Sequence, residues 1–322
     1  MITLGMVVPC YNEEETLQEC ESKLWAKIVS LIDDNQISNN SFILFVDDGS
    51  RDNTWRIIRV LNSNNSHIYG LKLSKNEGHQ TAIMAGMMFA KKMADVVITI
   101  DADLQQDINA IPLFIQKYME GKDIVYGVRT SRETDTAFKR ITALGYYNLM
   151  KILGCDIRKN SADYRLLSKR ALDALEQYEE RDLFIRGIIP TLGFSSAEVK
   201  FDVVPRKYGR SKYTCKKMIN LALDGVTSFS MQPIRLITKL GVLTILICLF
   251  MVIKVIIDYY MGNTVSGWSS LMVGLFFLGG VQLLSIGVVG EYVGRTYMET
   301  KKRPRYFIDQ VLCPDMKGSD ND

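Results

Sequence analysis

Two stretches in the C-terminal part of the chain restrict its fold more than any other feature. From Leu240 to Ile257 the only charge is Lys254, and from Trp268 to Val289 there is none. Each run approaches the roughly 20 apolar residues that cross a bilayer core. A helix packed in a soluble domain keeps a polar face, which these runs lack. The linker from Asp258 to Gly267 has no Lys or Arg, whereas Arg235 and Lys239 precede the first run and Arg295, Lys301, Lys302, Arg303 and Arg305 follow the second. Positive charge gathers on the cytoplasmic side. The pattern therefore predicts a transmembrane hairpin over 235–294, with helices near 238–260 and 268–290, in the inner (cytoplasmic) membrane with both termini cytoplasmic. Lys254, near the outer end of its span, can snorkel to the interface or face a bundle interior. Gly274, Gly279, Gly280, Gly287 and Gly290 permit close helix packing, so a homo-oligomer is expected, a tetramer among the candidates.

The residues before the hairpin read differently. Short apolar runs at Ile2–Val8, Phe42–Asp47, Ile68–Leu73, Val96–Asp101 and Ile124–Gly127 alternate with helical periodicity over Glu14–Ile32, Asn53–Leu61, Thr81–Met93 and Ala110–Met119. That alternation predicts a doubly wound α/β domain, whose ligands bind beyond the carboxyl ends of the strands. A dinucleotide-binding oxidoreductase needs a G-x-G-x-x-G turn after the first strand, and this chain has Pro9-Cys10-Tyr11-Asn12 there. Residues 131–205 are less legible, with a helix expected over Ala137–Leu153 and a strand over Ala197–Val204. From Tyr213 to Phe229, Lys217, Asn220, Asp224 and Ser228 share one helical face and Met218, Ala222, Val226 and Phe229 another, as in a helix lying in a membrane interface.

Composition narrows the chemistry only a little. Thirty-nine Lys and Arg against 36 Asp and Glu leave +3, but the basic residues cluster at Arg206–Lys217 and Arg295–Arg305. No CxxC pair occurs among the 6 Cys, and the 2 His, His67 and His79, lack zinc spacing. A reduced cytosolic domain fits, and the N-terminus lacks the basic and apolar regions of a signal peptide. Nucleic acid is a poor partner, because the basic patch abuts the membrane and no aromatic platform interleaves with it.

The segment "VITIDADLQQ" ends an apolar run with Asp101 and Asp103 two residues apart. Side chains at i and i+2 of a strand share a face, so two carboxylates at a strand end can aim at one hard cation. An isolated D-x-D is more often a solvated turn, with one Asp capping the next helix.

Further segments decide between these readings. "VVPCYNEEETL", "FVDDGSRDNT", "NEGHQTAIMAG", "DADLQQD", "VYGVRTSR", "SADYRLLSKRAL", "RKYGRSKY" and "GEYVGRTYMETKKRPRY" together resemble the polyprenyl-phosphate glycosyltransferases of family 2, GT-A class. Bactoprenol glucosyltransferases resemble the chain most closely and dolichyl-phosphate mannose synthase more distantly. The resemblance covers nearly the whole chain in order. One departure is Gln106-Asp107-Ile108-Asn109, where the family has a D-P-P-E-like segment.

The resemblance implies a cytoplasmic GT-A, Rossmann-like catalytic domain over 1–212, an interfacial amphipathic region over 213–234, the hairpin, and a basic tail over 295–322. It implies that Pro9, Tyr11, Glu13 and Asp48 form the nucleoside pocket and that Asp101 and Asp103, flanking Ala102, face the donor diphosphate through Mg²⁺ or Mn²⁺. Such ions are commonly held by one or two carboxylates plus phosphate oxygens. Asp103 and Asp163 are the implied catalytic residues. Asp163 stands where these enzymes place a candidate base, yet a lipid phosphate is largely ionised at neutral pH, so Asp163 has the alternative of orienting Arg165 or sugar hydroxyls. Arg129 is implied to contact the donor, and Arg206 with Lys212 to hold donor diphosphate, acceptor phosphate or both; a basic patch drawn to anionic lipid explains the latter pair equally. His79 is either a donor contact or a structural residue at a helix start. The implied reaction is inverting transfer of a hexose, glucose first, from a UDP-sugar to undecaprenyl phosphate at the cytoplasmic membrane face. Alternatives are an amino- or deoxysugar, mannose or GlcNAc as the group transferred, or a membrane-anchored nucleotide-sugar binder without turnover. A processive synthase is disfavoured by the lack of a Q-x-x-R-W motif.

Overall fold

The computed structural model describes residues 1–130, 161–180, 184–202, 232–261 and 267–313. The expected helix over Ala137–Leu153, the amphipathic segment Tyr213–Phe229, and both Arg206 and Lys212 lie outside the described residues.

The alternating pattern folds as β1 (Leu4–Cys10), α1 (Leu17–Asp33), β2 (Phe42–Asp47), α2 (Thr54–Asn64), β3 (Ile68–Leu73), α3 (His79–Ala90), β4 (Val96–Thr99), α4 (Ile111–Met119) and β5 (Ile124–Arg129). Then come β6 (Ser161–Ser168), α5 (Lys169–Glu176), α6 (Ile185–Thr191) and β7 (Ser196–Phe201). Two long helices, α7 (Gln232–Tyr260) and α8 (Trp268–Thr300), precede a last strand, β8 (Ile308–Leu312). β1, β2 and β4 are buried along their whole length, as continuous apolar runs in a parallel sheet require.

Among the described residues the sheet has eight strands, in the order β7-β5-β6-β4-β1-β2-β3-β8. It departs from the doubly wound expectation in two places, which make it mixed. β6 inserts antiparallel between β4 and β5, and β8 pairs antiparallel with β3 at the edge. The other pairings are parallel. Leu24, Ile28, Ile58 and Phe114 from α1, α2 and α4 pack one face; Met84, Met87, Leu172 and Ile188 from α3, α5 and α6 pack the other.

β8 lies within the region read from sequence as a basic tail. Its return is held by Trp55 Nε1 donating to Gln310 Oε1 at 2.9 Å, by Lys72 pairing with Asp309 at 3.0 Å, and by the Ser74 N–H donating to the Phe307 carbonyl at 2.9 Å. Tyr306 and Val311 pack against the α3-side core.

α7 and α8 present large apolar side chains outward, including Leu246, Ile247, Phe250, Leu283, Leu284 and Ile286. Two spans were expected. Among the described residues one segment, Phe277–Thr300, is long and apolar enough to cross a membrane by length and composition.

The approach of α3 to the sheet depends on Gly86. A Cβ there would overlap Val7 Cγ1 and stand 2.7 Å from Val46 Cγ2, side chains fixed on two central strands. Gly86→Ala should therefore destabilise the domain by about 1–3 kcal/mol through overpacking. A melting temperature in detergent equal to that of the unaltered protein would contradict this helix-on-sheet packing.

Candidate active site

The carboxyl ends of β1, β2 and β4 meet the N-terminus of α3. The loop after β1 is tied to the loop after β2 by an exchange of backbone and side-chain bonds. Asn12, at φ 53°, donates its N–H to Ser50 Oγ at 3.0 Å and accepts from the Arg51 N–H at 2.9 Å. The Glu13 N–H donates to Thr54 Oγ1 at 2.9 Å, while the Glu13 carboxylate accepts from Thr16 Oγ1 at 3.0 Å. Pro9 is buried within β1 opposite Val46, and Tyr11 is half-buried just beyond the strand.

Asp48 is 3 % exposed and holds the next loop in place: its Oδ1 accepts from the Glu77 N–H at 2.8 Å and its Oδ2 from the Gly78 N–H at 3.0 Å. Burial pushes its pKa up to about 6 against these two bonds. Gly78, at φ 96°, adopts a conformation that favours glycine and delivers His79 as the first residue of α3.

His79 Nε2 lies 3.4 Å from Asp101 Oδ1 and 3.6 Å from Asp163 Oδ2. Burial alone would lower its pKa, but the two carboxylates raise it. Asp101 is braced on its other side by Gln106. Gln106 Nε2 donates to Asp101 Oδ2 at 2.5 Å, and Gln106 Oε1 accepts the Asp101 N–H at 2.7 Å. Oδ1 of Asp101 is sealed from solvent and makes no hydrogen bond, with His79 Nε2 3.4 Å away. Burial raises the Asp101 pKa, with Asp163 and Asp103 adding to the effect.

Asp101 and Asp103 do not lie on a strand, as the spacing argument assumed. β4 ends at Thr99, and the D-x-D forms a turn in which the Leu104 N–H donates to the Asp101 carbonyl at 3.3 Å and Leu104 has φ 51°. Ala102 is buried beneath the turn, and Asp103 Oδ1 accepts from the Gln105 N–H at 3.2 Å. Turn geometry, not strand alternation, sets where the two carboxylates stand.

Asp163 is buried on β6. Its Oδ1 accepts from Arg165, and Arg186 on α6 makes a fork, Nε to Oδ1 at 3.0 Å and Nη2 to Oδ2 at 2.7 Å. Burial would raise the Asp163 pKa, but Arg186, His79 and Arg165 hold it well below the usual carboxylate range. Arg129 closes β5 half-exposed, where its strand pairs with β7.

The structure thus gathers Asp101, Asp163 and His79 into one cluster, and Asp48 joins it through the Gly78 turn. It adds Gln106 and Arg186, which the sequence reading did not assign to the site. Gln106 was visible only as a departure from a family motif, and Arg186 carried no signal, because its partner lies on another element. As a cation site, Asp101 offers Oδ1, which makes no hydrogen bond and has His79 Nε2 3.4 Å away. Among the described residues no three His, Cys, Asp or Glu side chains converge as a ready-made cage. Two carboxylates with phosphate oxygens completing the shell is an arrangement Mg²⁺ accepts.

Comparison with known proteins agrees with this architecture. Residues 6–176 match the family described as glycosyl transferase family 2. The chain is 50 % identical over 306 residues, 95 % of its length and 91 % of the other, to a protein named uncharacterized glycosyltransferase YkoT from Bacillus subtilis (strain 168). It is 38 % identical to the prophage bactoprenol glucosyl transferase homolog of Escherichia coli (strain K12), covering 96 % of this chain and 99 % of that one. It is 39 % identical to the bactoprenol glucosyl transferase of Shigella phage SfX, covering 95 % and 98 %. With its GT-A fold, mixed sheet and glycosyltransferase relatives along nearly its full length, the chain belongs to glycosyl transferase family 2.

Proposed function

We propose that this glycosyltransferase moves glucose from a UDP-sugar to a polyprenyl phosphate, undecaprenyl phosphate in particular, at the cytoplasmic face of the membrane. The observation that carries the reading is the braced Asp101 in the D-x-D turn at the carboxyl end of the sheet, its Oδ2 held by Gln106 and its Oδ1 3.4 Å from His79 Nε2. Relatives named bactoprenol glucosyl transferases, matching along nearly the whole chain, support glucose and the lipid acceptor.

In this reading Pro9, Tyr11, Glu13 and Asp48 line the nucleoside end of the site, and Asp101 and Asp103 hold Mg²⁺ or Mn²⁺ against the diphosphate. When bound, the ion offsets the charge that develops on the leaving diphosphate. Gln106 keeps Asp101 in one orientation, and Arg129 contacts the donor. Arg186, His79 and Arg165 favour the ionised form of Asp163, and the role proposed for it is to orient Arg165 or the sugar hydroxyls. An acceptor phosphate is already largely ionised at neutral pH and requires little help. Arg206 and Lys212 remain the proposed phosphate contacts next to the membrane.

The proposed plan has a catalytic domain over 1–212, an interfacial region over 213–234, a hairpin over 235–294 and a cytoplasmic tail over 295–322, with the amendment that α8 runs on to Thr300 and β8 of the tail returns to the catalytic sheet. The path of the chain supports two crossings. β7 and β8 belong to one sheet, so the segment between Phe201 and Ile308 must return to the side it left. If α8 spans the bilayer, a second crossing is required, and α7 is the other long helix among the described residues. A homo-oligomer is proposed on the glycines of α8, whose added Cβ atoms would meet nothing within 4 Å.

Three outcomes follow. Detergent-solubilised protein given radiolabelled UDP-glucose and undecaprenyl phosphate should yield a lipid-extractable glucoside, and Asp103→Ala or EDTA should reduce the rate by about 10²-fold or more, the scale of losing one electrostatic contact to developing charge. Full turnover in EDTA would remove the metal from the mechanism. Uridine carries no phosphate to titrate, so its affinity should report Asp48 directly. With a pKa of about 6, Asp48 gains its proton as pH falls, and uridine affinity should drop about tenfold between pH 7 and pH 5 if the carboxylate is the acceptor. A flat profile by calorimetry would take Asp48 out of the nucleoside pocket. Finally, Asn263→Cys should react with an impermeant maleimide in intact cells, while tags at Met1 and after Leu312 stay protected. Labelling of the C-terminal tag without permeabilisation would exclude the hairpin.

A further inference from the structure

The strand that returns from α8 docks beside the supports of both loops of the proposed nucleoside pocket. β8 pairs with β3, and beyond the last pair, Leu73 with Ile308, the Phe307 carbonyl accepts the Ser74 N–H at 2.9 Å. Ser74 opens the loop that leads to His79, and Asp48 holds the far end of that loop through the N–H groups of Glu77 and Gly78. Between these anchors the backbone of Lys75 and Asn76 lies against Gly49, where an added Cβ would stand 2.6 Å from Asn76 N. The loop is thus gripped at its entry by β8 and at its exit by Asp48.

β8 reaches the other loop through α2. Trp55 Nε1 donates to Gln310 Oε1 at 2.9 Å, and the neighbouring Thr54, fully buried, accepts the Glu13 N–H on its Oγ1. Strand and helix meet over Gly70 of β3: a Cβ there would stand 2.8 Å from Ile58 Cγ2, 2.9 Å from Leu312 Cδ1 and 3.2 Å from Trp55 Cη2. Asp309 is an extra residue between the pairs Lys72–Gln310 and Leu73–Ile308, a bulge placed where the sheet hands over to the loop. Its ion pair with Lys72 is largely exposed and contributes little, so strand pairing and Leu312 hold β8 in place.

None of the five residues of β8 is fully buried, so the strand adds little to the core. Its contacts fall instead on the entry of one site loop and the support of the other. We propose that β8 is a positioning element for donor binding, and that its docking on β3 is coupled to the affinity of the nucleoside pocket. The inference rests on the glycosyl-transfer reading and deepens it. Gln310, Leu312 and the Phe307 carbonyl act through Trp55, Thr54 and Ser74. Coupling between two sites is reciprocal, so a bound nucleotide must also tighten the strand.

The test uses the full-length protein in detergent, with UDP and Mn²⁺ as the probe. Binding should slow hydrogen exchange at Ile308–Leu312 about fivefold or more, while β7, the edge strand at the other end of the sheet, changes less than about twofold. A strand that merely adds stability would follow β7. Leu312→Asp sets a charge against Gly70 and should release the strand. The Kd for UDP with Mn²⁺ by calorimetry should then rise about tenfold, whereas the KM for undecaprenyl phosphate at saturating donor stays within about twofold. Gln310→Leu should raise the same Kd about two- to fivefold, and Gln310→Glu, which keeps an acceptor for Trp55, should restore it. If Leu312→Asp fails to fold, exchange in the unaltered protein and the two Gln310 variants carry the test. Equal protection of β8 and β7 on binding, a UDP Kd unmoved by these substitutions, or equal rises in Kd and KM would each overturn the assignment. Failure of the unaltered protein to bind UDP would instead sink the proposed function, so the two failures are distinguishable.

Discussion

A buried carboxylate is tolerated only when its charge is met, and at the carboxyl end of this sheet several stand close together. Asp163 is the point where the elements around the site converge. Its side chain is gripped by Arg165 from the same strand and by Arg186 from α6, and its carbonyl accepts from Thr99 Oγ1 at 2.7 Å on β4. His79, at the start of α3, lies between Asp163 and Asp101. Removing one partner from such a buried set typically costs about 3–5 kcal/mol, since the remaining charge has no solvent to take its place. The antiparallel insertion of β6 follows the same logic: it brings a charged strand to the middle of the sheet, where neighbouring elements can supply the counter-charges.

The same end of the sheet explains how a rigid frame holds a reactive arrangement. Asp48 fixes the loop that presents His79, Gln106 fixes Asp101, and the loops after β1 and β2 are bonded to each other. Burial raises the pKa of Asp47, Asp48 and Asp101 while surrounding cations depress that of Asp163. Carboxylates a few residues or one strand apart are thereby given opposite tendencies. The raised values follow first from burial, which leaves these carboxylates' charge incompletely compensated.

At the opposite edge, β8 ties the end of α8 back to β3. A short edge strand with charged and polar outward groups such as Asp309 and Gln310 closes the sheet without inviting further strands. It also links the long apolar helices to the catalytic sheet at a second place, beyond the connection after β7.

Much of this was legible in the sequence where one physical signal dominated. β2 falls where the apolar run at Phe42–Asp47 predicted it, because a strand buried along its whole length leaves few polar positions to confuse its ends, and β3 coincides with Ile68–Leu73 although the partly buried Tyr69 and Lys72 interrupt its burial. Asp101 and Asp103 were visible as a carboxylate pair, though expected on a strand end and found in a turn, and the apolar character of α7 and α8 by their missing charges. β6 and β8 were not: "SADYRLLS" mixes charge into a central strand, and "IDQVL" is a short edge strand whose pairing is with residues more than two hundred positions away. Hydrophobic runs and local motifs are properties of neighbouring residues, so the sequence alone determined the layered α/β plan, the presence of a carboxylate pair after the fourth strand and the apolar helices. Which carboxylate meets which cation, as in Asp163 with Arg186 and Asp101 with Gln106 and His79, was decided only by the tertiary structure, because burial and charge pairing act through space between elements that the chain order keeps apart.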